Sequence, residues 1–178
     1  MLGAMSSAAR EKTLVLMRHA KAEEGLGKSD HDRDLNKRGR RDATAAGEWL
    51  KENGLVPDLV ICSTSHRTRQ TWEAACHGGA NTEFVEYRRS VYLGGAEQVL
   101  ETVREDAGQM ATVLVVGHNP TMAQLTSLLT DGAGSREAHD ALGDGFATSG
   151  LAVMRYDGDW ADLDLGTCEL TRFHVSRG

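Results

Sequence analysis

The chain of 178 residues has few of the features that mark secreted and membrane proteins. Its cysteines, Cys62, Cys76 and Cys168, are widely spaced and form no CxxC pair, which indicates a reduced, cytoplasmic setting. The first twelve residues contain no apolar run of signal-peptide length. No stretch approaches the roughly eighteen consecutive apolar residues that cross a bilayer, so we expect no membrane association.

The sequence also lacks an excess of positive charge. Lys and Arg number 20 against 26 Asp and Glu, which gives a formal net charge of −6. A general nucleic-acid binder presents a basic surface to phosphates, so this balance argues against a nucleic-acid partner. Apolar residues at 40% and charged residues at 26% are typical of a globular protein. We expect a tail over residues 1–12, a single domain over residues 13–178, and a monomer.

The apolar pattern predicts strands that alternate with helices. Predicted strands cover residues 13–17, 58–62, 83–87, 111–116, 151–156 and 169–175. Predicted helices run from the cap Asn36 to about residue 53, from about 66 to 76, over 96–106 and over 120–129, and the Gly- and Asp-rich residues 131–147 are predicted to be a loop. Alternation of this kind indicates an α/β fold with a mostly parallel sheet. The last two strands are close enough in the chain for a hairpin, which predicts an antiparallel strand at the edge of the sheet.

Basic side chains follow three of the predicted strands. The first strand is followed by Arg18 and His19, the second by a loop that ends in Arg67, and the fourth by His118 and Asn119. Ligands of α/β sheets bind at the carboxyl ends of the strands, so we expect these side chains to converge there. Arginine forks and a helix N-terminus suit an anionic, tetrahedral group such as phosphate.

These residue types also indicate a reaction. His19 can be a nucleophile through one ring nitrogen if the other nitrogen donates to a backbone carbonyl. Arg18 and Arg67 would neutralise a transferring phosphoryl group, and a protonated His118 would donate to one of its oxygens. Phosphoryl transfer depends mainly on positioning and charge, so no metal or other cofactor is required in principle.

Four segments, LVLMRHAKAE, DHDRDLNKRG, STSHRTRQT and VVGHNP, resemble the histidine phosphatase (phosphoglycerate mutase-like) superfamily. The small branch of SixA-type phosphohistidine phosphatases is the most similar. The resemblance implies a three-layer α/β/α sandwich in which His19 becomes phosphorylated and Arg18, Arg67 and His118 complete the phosphate pocket. It also implies that Arg33 points at the phosphate, and we expect Asn119 to help bind the substrate.

The sequence departs from this family at several places, including Asp34 where Pro is common, and two of the departures, a missing acid and a missing cap, bear on the substrate. Ala20 follows His19 where mutases have Gly, and the Glu that protonates an alkoxide leaving group in larger members has no clear counterpart after the third strand. The insertions that cap the substrate in larger members are absent as well. An open site without a strong acid favours protein phosphohistidine, because imidazole leaves more easily than an alkoxide. Asp30, His31 and Glu97 are the remaining candidate proton donors.

Several alternatives stay open at this point. The substrate could be a small phosphorylated metabolite, or the chain could be a binding module that does not catalyse. The Asp30-His31-Asp32 segment has no second group of metal ligands at a supporting spacing, so we interpret it as a solvated loop. The basic stretch Lys37–Arg41 is a solvated helix face or a surface that steers an anionic partner.

Overall fold

Within residues 11–178, which the computed structural model describes, the apolar runs form one six-stranded sheet with helices on both faces. The predicted tail falls mostly on residues 1–10, outside the described residues. The strands are β1 (Glu11–Arg18), β2 (Leu59–Ser63), β3 (Val85–Arg88), β4 (Thr112–Gly117), β5 (Gly150–Asp157) and β6 (Cys168–Val175). The helices are α1 (Lys37–Glu52), α2 (His66–His77), α3 (Arg89–Leu93), α4 (Ala96–Asp106), α5 (Thr121–Thr130) and α6 (Arg136–Gly143).

The strand order in the sheet is β3-β2-β4-β1-β5-β6. Strands β1 to β4 pair in parallel, and β5 is antiparallel to both β1 and β6. The predicted hairpin therefore lies at one edge of a mostly parallel sheet. The antiparallel strand itself is β5, one position in from that edge, and the edge strand β6 runs in the same direction as β1.

Each face of the sheet is covered by its own hydrophobic core. Leu14 and Leu16 point to the face that α4, α5 and α6 cover, whereas Val15 and Met17 point to the face that α1 and α2 cover. This alternation follows from the period of two along a strand. The result is the expected three-layer α/β/α sandwich. None of the helices in the described part of the chain is long and apolar enough to cross a membrane.

The prediction of a loop over residues 131–147 was wrong, because this segment contains α6. The Ser135 hydroxyl caps the helix by accepting from the Ala138 amide at 3.1 Å. Ala138 is buried and Leu142 packs against the same core. Glycine and aspartate on either side of the helix conceal this short apolar face in the sequence.

Two further differences from the prediction lie outside this segment, besides shifts of one or two residues at strand ends. Strand β1 begins at Glu11 rather than Thr13, so Glu11 and Lys12 belong to the sheet and not to the predicted tail. The short helix α3 follows β3 directly and was not predicted. It matters for function because it lies at the end of the sheet where the candidate site residues gather.

Parallel pairing brings the carboxyl ends of three strands together. Arg18 at the end of β1 is level with Gly117 of β4, and Cys62 of β2 is level with Val116 of β4. Helices α2 and α5 begin just after β2 and β4, at this same edge. The three strand-end loops that the sequence singled out therefore form one crevice.

Candidate active site

His19 is held at the centre of the crevice by its own backbone. Its amide donates to the Gly117 carbonyl at 3.0 Å, and its ring Nδ1 lies 2.7 Å from the Ala20 carbonyl oxygen. A carbonyl only accepts, so Nδ1 carries the ring proton and Nε2 keeps its lone pair. Nε2 faces Arg67, whose Nε donates to it at 3.4 Å. The ring is thus fixed in the tautomer that a nucleophilic Nε2 requires.

The surroundings of His19 also keep its ring uncharged. Burial lowers the pKa of His19 to about 3, and the charges of Arg67 and Arg18, with that of His118 when it is protonated, act in the same direction. The hydrogen bond to the Ala20 carbonyl opposes this effect but does not overcome it. At neutral pH the lone pair on Nε2 is therefore available.

Arg67 connects the other groups of the site. It lies in the first turn of α2, which Ser65 caps by accepting from the Thr68 amide, and its side chain is almost fully buried. Besides the contact with His19, its Nη2 lies 3.3 Å from Nδ1 of His118. Its Nη1 and Nη2 also donate to the backbone carbonyl and the carboxylate of Asp30, at 2.7 and 3.1 Å.

His118 lies beside His19, with 5.3 Å between the ring centroids. An arginine only donates, so Nδ1 of His118 accepts from Arg67 and Nε2–H donates to the Ser63 hydroxyl at 2.8 Å. Burial, followed by the charge of Arg67, lowers the pKa of His118 to about 4. His118 must gain a proton on Nδ1 before it can donate into the crevice, and a nearby phosphate dianion favours that protonation.

Arg18 and Asn119 share one backbone oxygen. Arg18 Nη1 and Asn119 Nδ2 each donate to the Phe146 carbonyl at 2.9 Å. Arg18 Nε is buried and has no hydrogen-bond partner among the described residues. Both side chains line the crevice. The Phe146 carbonyl comes from the segment after α6, far along the chain, and nothing in the sequence pointed to it.

Arg33 reaches the same crevice, although its contacts are less direct. Its Nε and Nη2 donate to the Glu23 carbonyl at 3.1 and 2.8 Å, and its Nη1 donates to the Asp30 carboxylate at 3.3 Å. Arg33 is thereby anchored to the loop that follows β1. Arg33 lines the crevice, and its hydrogen bonds within the described residues go to Glu23 and Asp30.

Asp30 supplies the only carboxylate in the lining of the crevice, among the residues that the structure describes. One of its oxygens accepts from the Tyr92 hydroxyl at 2.9 Å and from Arg67 at 3.1 Å. Partial burial raises the pKa of Asp30, but the hydrogen bonds from Tyr92 and Arg67 and the charge of Arg67 outweigh it and lower that pKa to about 2. Asp30 is therefore ionised at neutral pH and holds no proton to donate.

The other two candidate proton donors are less well placed. His31 lies at the rim, where its Nε2 is 3.1 Å from the Thr64 hydroxyl and its ring meets the Tyr92 ring edge-on at 4.8 Å. Glu97 lies in the first turn of α4 and lines a separate groove. The structure thus leaves Glu97 outside the site.

The crevice has a volume of about 480 Å³. Its lining consists of Arg18, His19, Lys21, Ala22, Asp30, Arg33, Arg67, Tyr92, Leu93, His118, Asn119 and Thr148. Sequence reasoning missed Lys21, Ala22, Tyr92, Leu93 and Thr148. Lys21 and Ala22 could have been found from their place directly after the His19 segment, whereas the other three reach the crevice through packing. Within residues 11–178, no group of three or more His, Cys, Asp and Glu side chains is arranged to hold a metal ion.

Comparison with known proteins gives consistent matches over most of the chain. A sequence model of the histidine phosphatase superfamily (branch 1) matches residues 14–89. An uncharacterised protein of Mycobacterium tuberculosis is 40% identical over 162 residues, which are 90% of this chain and all of that protein. A solved structure from Nakamurella multipartitia, provisionally named phosphohistidine phosphatase SixA, is 40% identical with a TM-score of 0.82 and covers 93% of this chain and 96% of its own. Another from Agrobacterium tumefaciens, with the same provisional name, is 30% identical with a TM-score of 0.77 and covers 92% of this chain and 97% of its own.

Proposed function

Since the chain belongs to the histidine phosphatase superfamily and is a phosphatase of that family, we propose that it works through a phosphohistidine intermediate on His19, without a metal. We further propose that its substrate is phosphohistidine in a protein. One observation carries the proposal: Nδ1 of His19 donates to the Ala20 carbonyl, which leaves an unprotonated Nε2 facing the arginine-lined crevice.

The reaction then has two displacements at phosphorus. In the first, the Nε2 lone pair forms a bond to phosphorus while the bond from phosphorus to the substrate nitrogen breaks and its electron pair goes to that nitrogen. A substrate imidazole that carries a proton on its other nitrogen leaves as neutral imidazole. In the second, water attacks phosphorus, the bond to Nε2 breaks, and His19 regains its lone pair as inorganic phosphate forms. The proton that water loses goes to a phosphate oxygen or to solvent.

The arginines supply the charge that the transfer needs. Arg18 and Arg67 flank His19, and their guanidinium groups match phosphate oxygens in fork geometry. Protonation of His118 on Nδ1 adds a third donor. Positioning and charge account for most of the catalysis in phosphoryl transfer, which supports a mechanism without a metal.

The preference for phosphohistidine depends on what stands near the leaving group. Tyr92, whose hydroxyl donates to Asp30, occupies the segment after β3 where larger family members have their acid. Asp30 is ionised, so neither residue is a strong acid at neutral pH. A phosphoramidate tolerates this lack of an acid, because the departing imidazole needs no proton from the enzyme. The two solved relatives named above carry phosphohistidine phosphatase in their provisional names, which is consistent with this choice.

A substrate panel measured with a chelator present tests the proposal. We expect kcat/KM to be highest for a phosphohistidine protein, lower for p-nitrophenyl phosphate, and lowest for sugar phosphates and nucleotides, all unchanged by EDTA. A higher kcat/KM for a sugar phosphate would move the substrate to the small-metabolite class. Loss of activity in EDTA would overturn the metal-free mechanism, and no turnover of any substrate would leave only a binding module.

The identity of the nucleophile has its own test. Brief exposure of the wild-type protein to a ³²P-labelled substrate should give an acid-labile, base-stable label, as expected for a phosphoramidate. The His19→Ala variant should give none. His118→Ala, which removes the neighbouring ring but leaves Nε2 of His19, is the matched control and should keep a weaker label. Full labelling of His19→Ala would show that another residue is the nucleophile.

A further inference from the structure

Four cationic side chains, Lys21, Lys37, Arg40 and Arg41, form a basic patch beside the crevice. Lys21 lines the crevice itself, and its carbonyl accepts from the Asn36 amide at 3.0 Å, directly before α1 begins. The other three residues lie in the first turns of α1, and all four are exposed. The patch therefore extends from the mouth of the crevice onto α1.

The position of the patch is unfavourable for the helix that carries it. The N-terminus of a helix has a partial positive charge, which favours Asp and Glu and disfavours Lys and Arg. Two patch residues, Lys37 and Arg40, and also Arg38 lie in the first turn of α1, which has no acidic residue. The sequence thus places cations where they weaken the helix, in a chain whose net charge is −6.

The patch residues also lack ionic partners within the protein. In the part of the chain from residue 11 to 178, no carboxylate oxygen lies within 4.0 Å of their charged nitrogens. Arg38 differs from them, because it pairs with the buried Asp42 at 3.6 Å. The cost to the helix is therefore not recovered in ion pairs among these residues, and the charges are available to a partner.

The loop over residues 28–34 also borders the crevice, but most of its charged side chains are paired with charges of opposite sign. Lys28 pairs with Glu23 at 2.7 Å and with Asp34 at 2.6 Å, and His66 lies near Asp34 at 3.6 Å. Charges in this loop are mostly matched to each other. A partner therefore meets unmatched positive charge on the α1 side of the crevice and paired charge at this loop.

We propose that the basic patch docks an acidic face of the phosphoprotein substrate, next to its phosphohistidine. This inference rests on the proposed function and adds the kind of partner. Docking of this type raises the rate of encounter and fixes the orientation of the partner, and it weakens as salt screens the charges. A small phosphorylated metabolite would reach His19 without touching Arg40 or Arg41, since these lie beyond the lining of the crevice.

Charge reversal on the patch provides the test. The double variant Lys37→Glu/Arg40→Glu reverses two charges, and α1 should remain folded because acidic residues suit a helix N-terminus. The control Lys51→Glu/Arg136→Glu makes the same change in net charge at exposed positions away from the crevice. Both are compared with the wild-type protein on an acidic histidine-phosphotransfer domain, phosphorylated on its histidine, and on p-nitrophenyl phosphate.

We expect the patch variant to lose about tenfold in kcat/KM for the acidic phosphoprotein at about 0.01 M salt, and most of that loss to vanish at about 1 M salt. Its kcat/KM for p-nitrophenyl phosphate should stay within about twofold of wild type. Equal losses on both substrates, no loss on the phosphoprotein, or an equal loss in the control would each overturn the docking proposal. Wild-type protein that fails to act on the phosphoprotein would instead refute the proposed substrate, and the docking proposal with it.

Discussion

At the scale of single residues, Asp30 accepts from the arginine, Arg67, that the proposed mechanism assigns to the phosphoryl group. Arg67 Nη2 donates to the Asp30 carboxylate at 3.1 Å, and its Nη1 donates to the Asp30 carbonyl at 2.7 Å. A phosphoryl oxygen beside His19 needs the same guanidinium. Asp30 is therefore in contact with Arg67, and we expect its negative charge to oppose the binding of an anion there.

Removal of this charge should tighten anion binding. In Asp30→Asn the side chain can still accept from Arg67 and Tyr92, but the carboxylate no longer repels phosphate. We expect the inhibition constant of inorganic phosphate to fall by about fivefold, in keeping with the energies of about 1 kcal/mol typical of exposed charges. Competitive inhibition of p-nitrophenyl phosphate hydrolysis measures this constant.

Asp32→Asn is the control for this comparison. Asp32 is exposed in the same loop and contacts Ser29 and His31 rather than Arg67. An equal fall in the inhibition constant for Asp32→Asn would show that net charge is responsible. An unchanged constant for Asp30→Asn would show that Asp30 does not compete with phosphate.

The site residues that could be predicted are those that directly follow a strand in the sequence. His19 and His118 follow predicted strands, so a rule about strand ends was sufficient to bring them together. The contacts of Tyr92 and of the Phe146 carbonyl depend instead on how α3 and the segment after α6 pack against the sheet. No local pattern encodes an approach between segments this far apart in the chain.

At the scale of elements, α1 and α2 are held unusually close together by glycine. Gly47 of α1 packs on the carbonyl group of Ala75 in α2, and Gly78 at the end of α2 packs on the Thr44 carbonyl of α1. A side chain at either position would overlap a backbone oxygen. This contact links the helix that begins with the basic patch to the helix that holds Arg67.

The glycine contact predicts an unusual result for a helical substitution. Glycine to alanine normally stabilises a helix interior by about 1 kcal/mol. Gly47→Ala should instead lower the free energy of unfolding by about 1–3 kcal/mol, because α1 and α2 must separate. Gly143→Ala in α6 is the control, since no atom lies within 4 Å of the added carbon there.

Urea unfolding of the two variants and the wild-type protein decides the matter. Gly143→Ala should be neutral or slightly stabilising, as helix propensity alone predicts. Stabilisation of both variants to the same extent would mean that α1 and α2 can move apart at no cost.

The strands were predictable from their apolar runs. The long helices were predictable because apolar residues recur at helical spacing over several turns. Strand β4 is a continuous buried apolar run, helix α4 has a helical apolar period, and the predicted bounds of α4 agree with the structure. Helix α6 spans only 8 residues, and little more than Ala138 is fully buried. Its stability comes from the Ser135 cap and from packing on β6, neither of which produces a visible period.

At the scale of the whole molecule, the protein has a net negative charge, yet the two histidines of its site are uncharged at neutral pH. Burial lowers the pKa of His19 to about 3 and that of His118 to about 4, both well below the ordinary value of 6.5. In the unfolded chain the same histidines take up protons near pH 6.5. The unfolded state therefore binds more protons between pH 6.5 and about 4, and stability must fall as the pH is lowered through that window.

Acidification should thus weaken the fold before most carboxylates titrate. A histidine that is charged only in the unfolded state reduces the free energy of unfolding by up to about 1.4 kcal/mol per pH unit, so His19 and His118 act together below pH 6.5. The lowered pKa of Asp30 adds a further loss of stability only below its ordinary value of 3.8.

Urea unfolding between pH 7.5 and pH 4.5 should show the histidine-dependent decline in the free energy of unfolding. His118→Gln should reduce its slope by up to about half, because one of the two groups is gone. His77→Gln, at an exposed position, measures what a surface histidine contributes. A slope that His118→Gln leaves unchanged would mean that His118 is charged in the folded protein, and that its proton is already in place before phosphate binds.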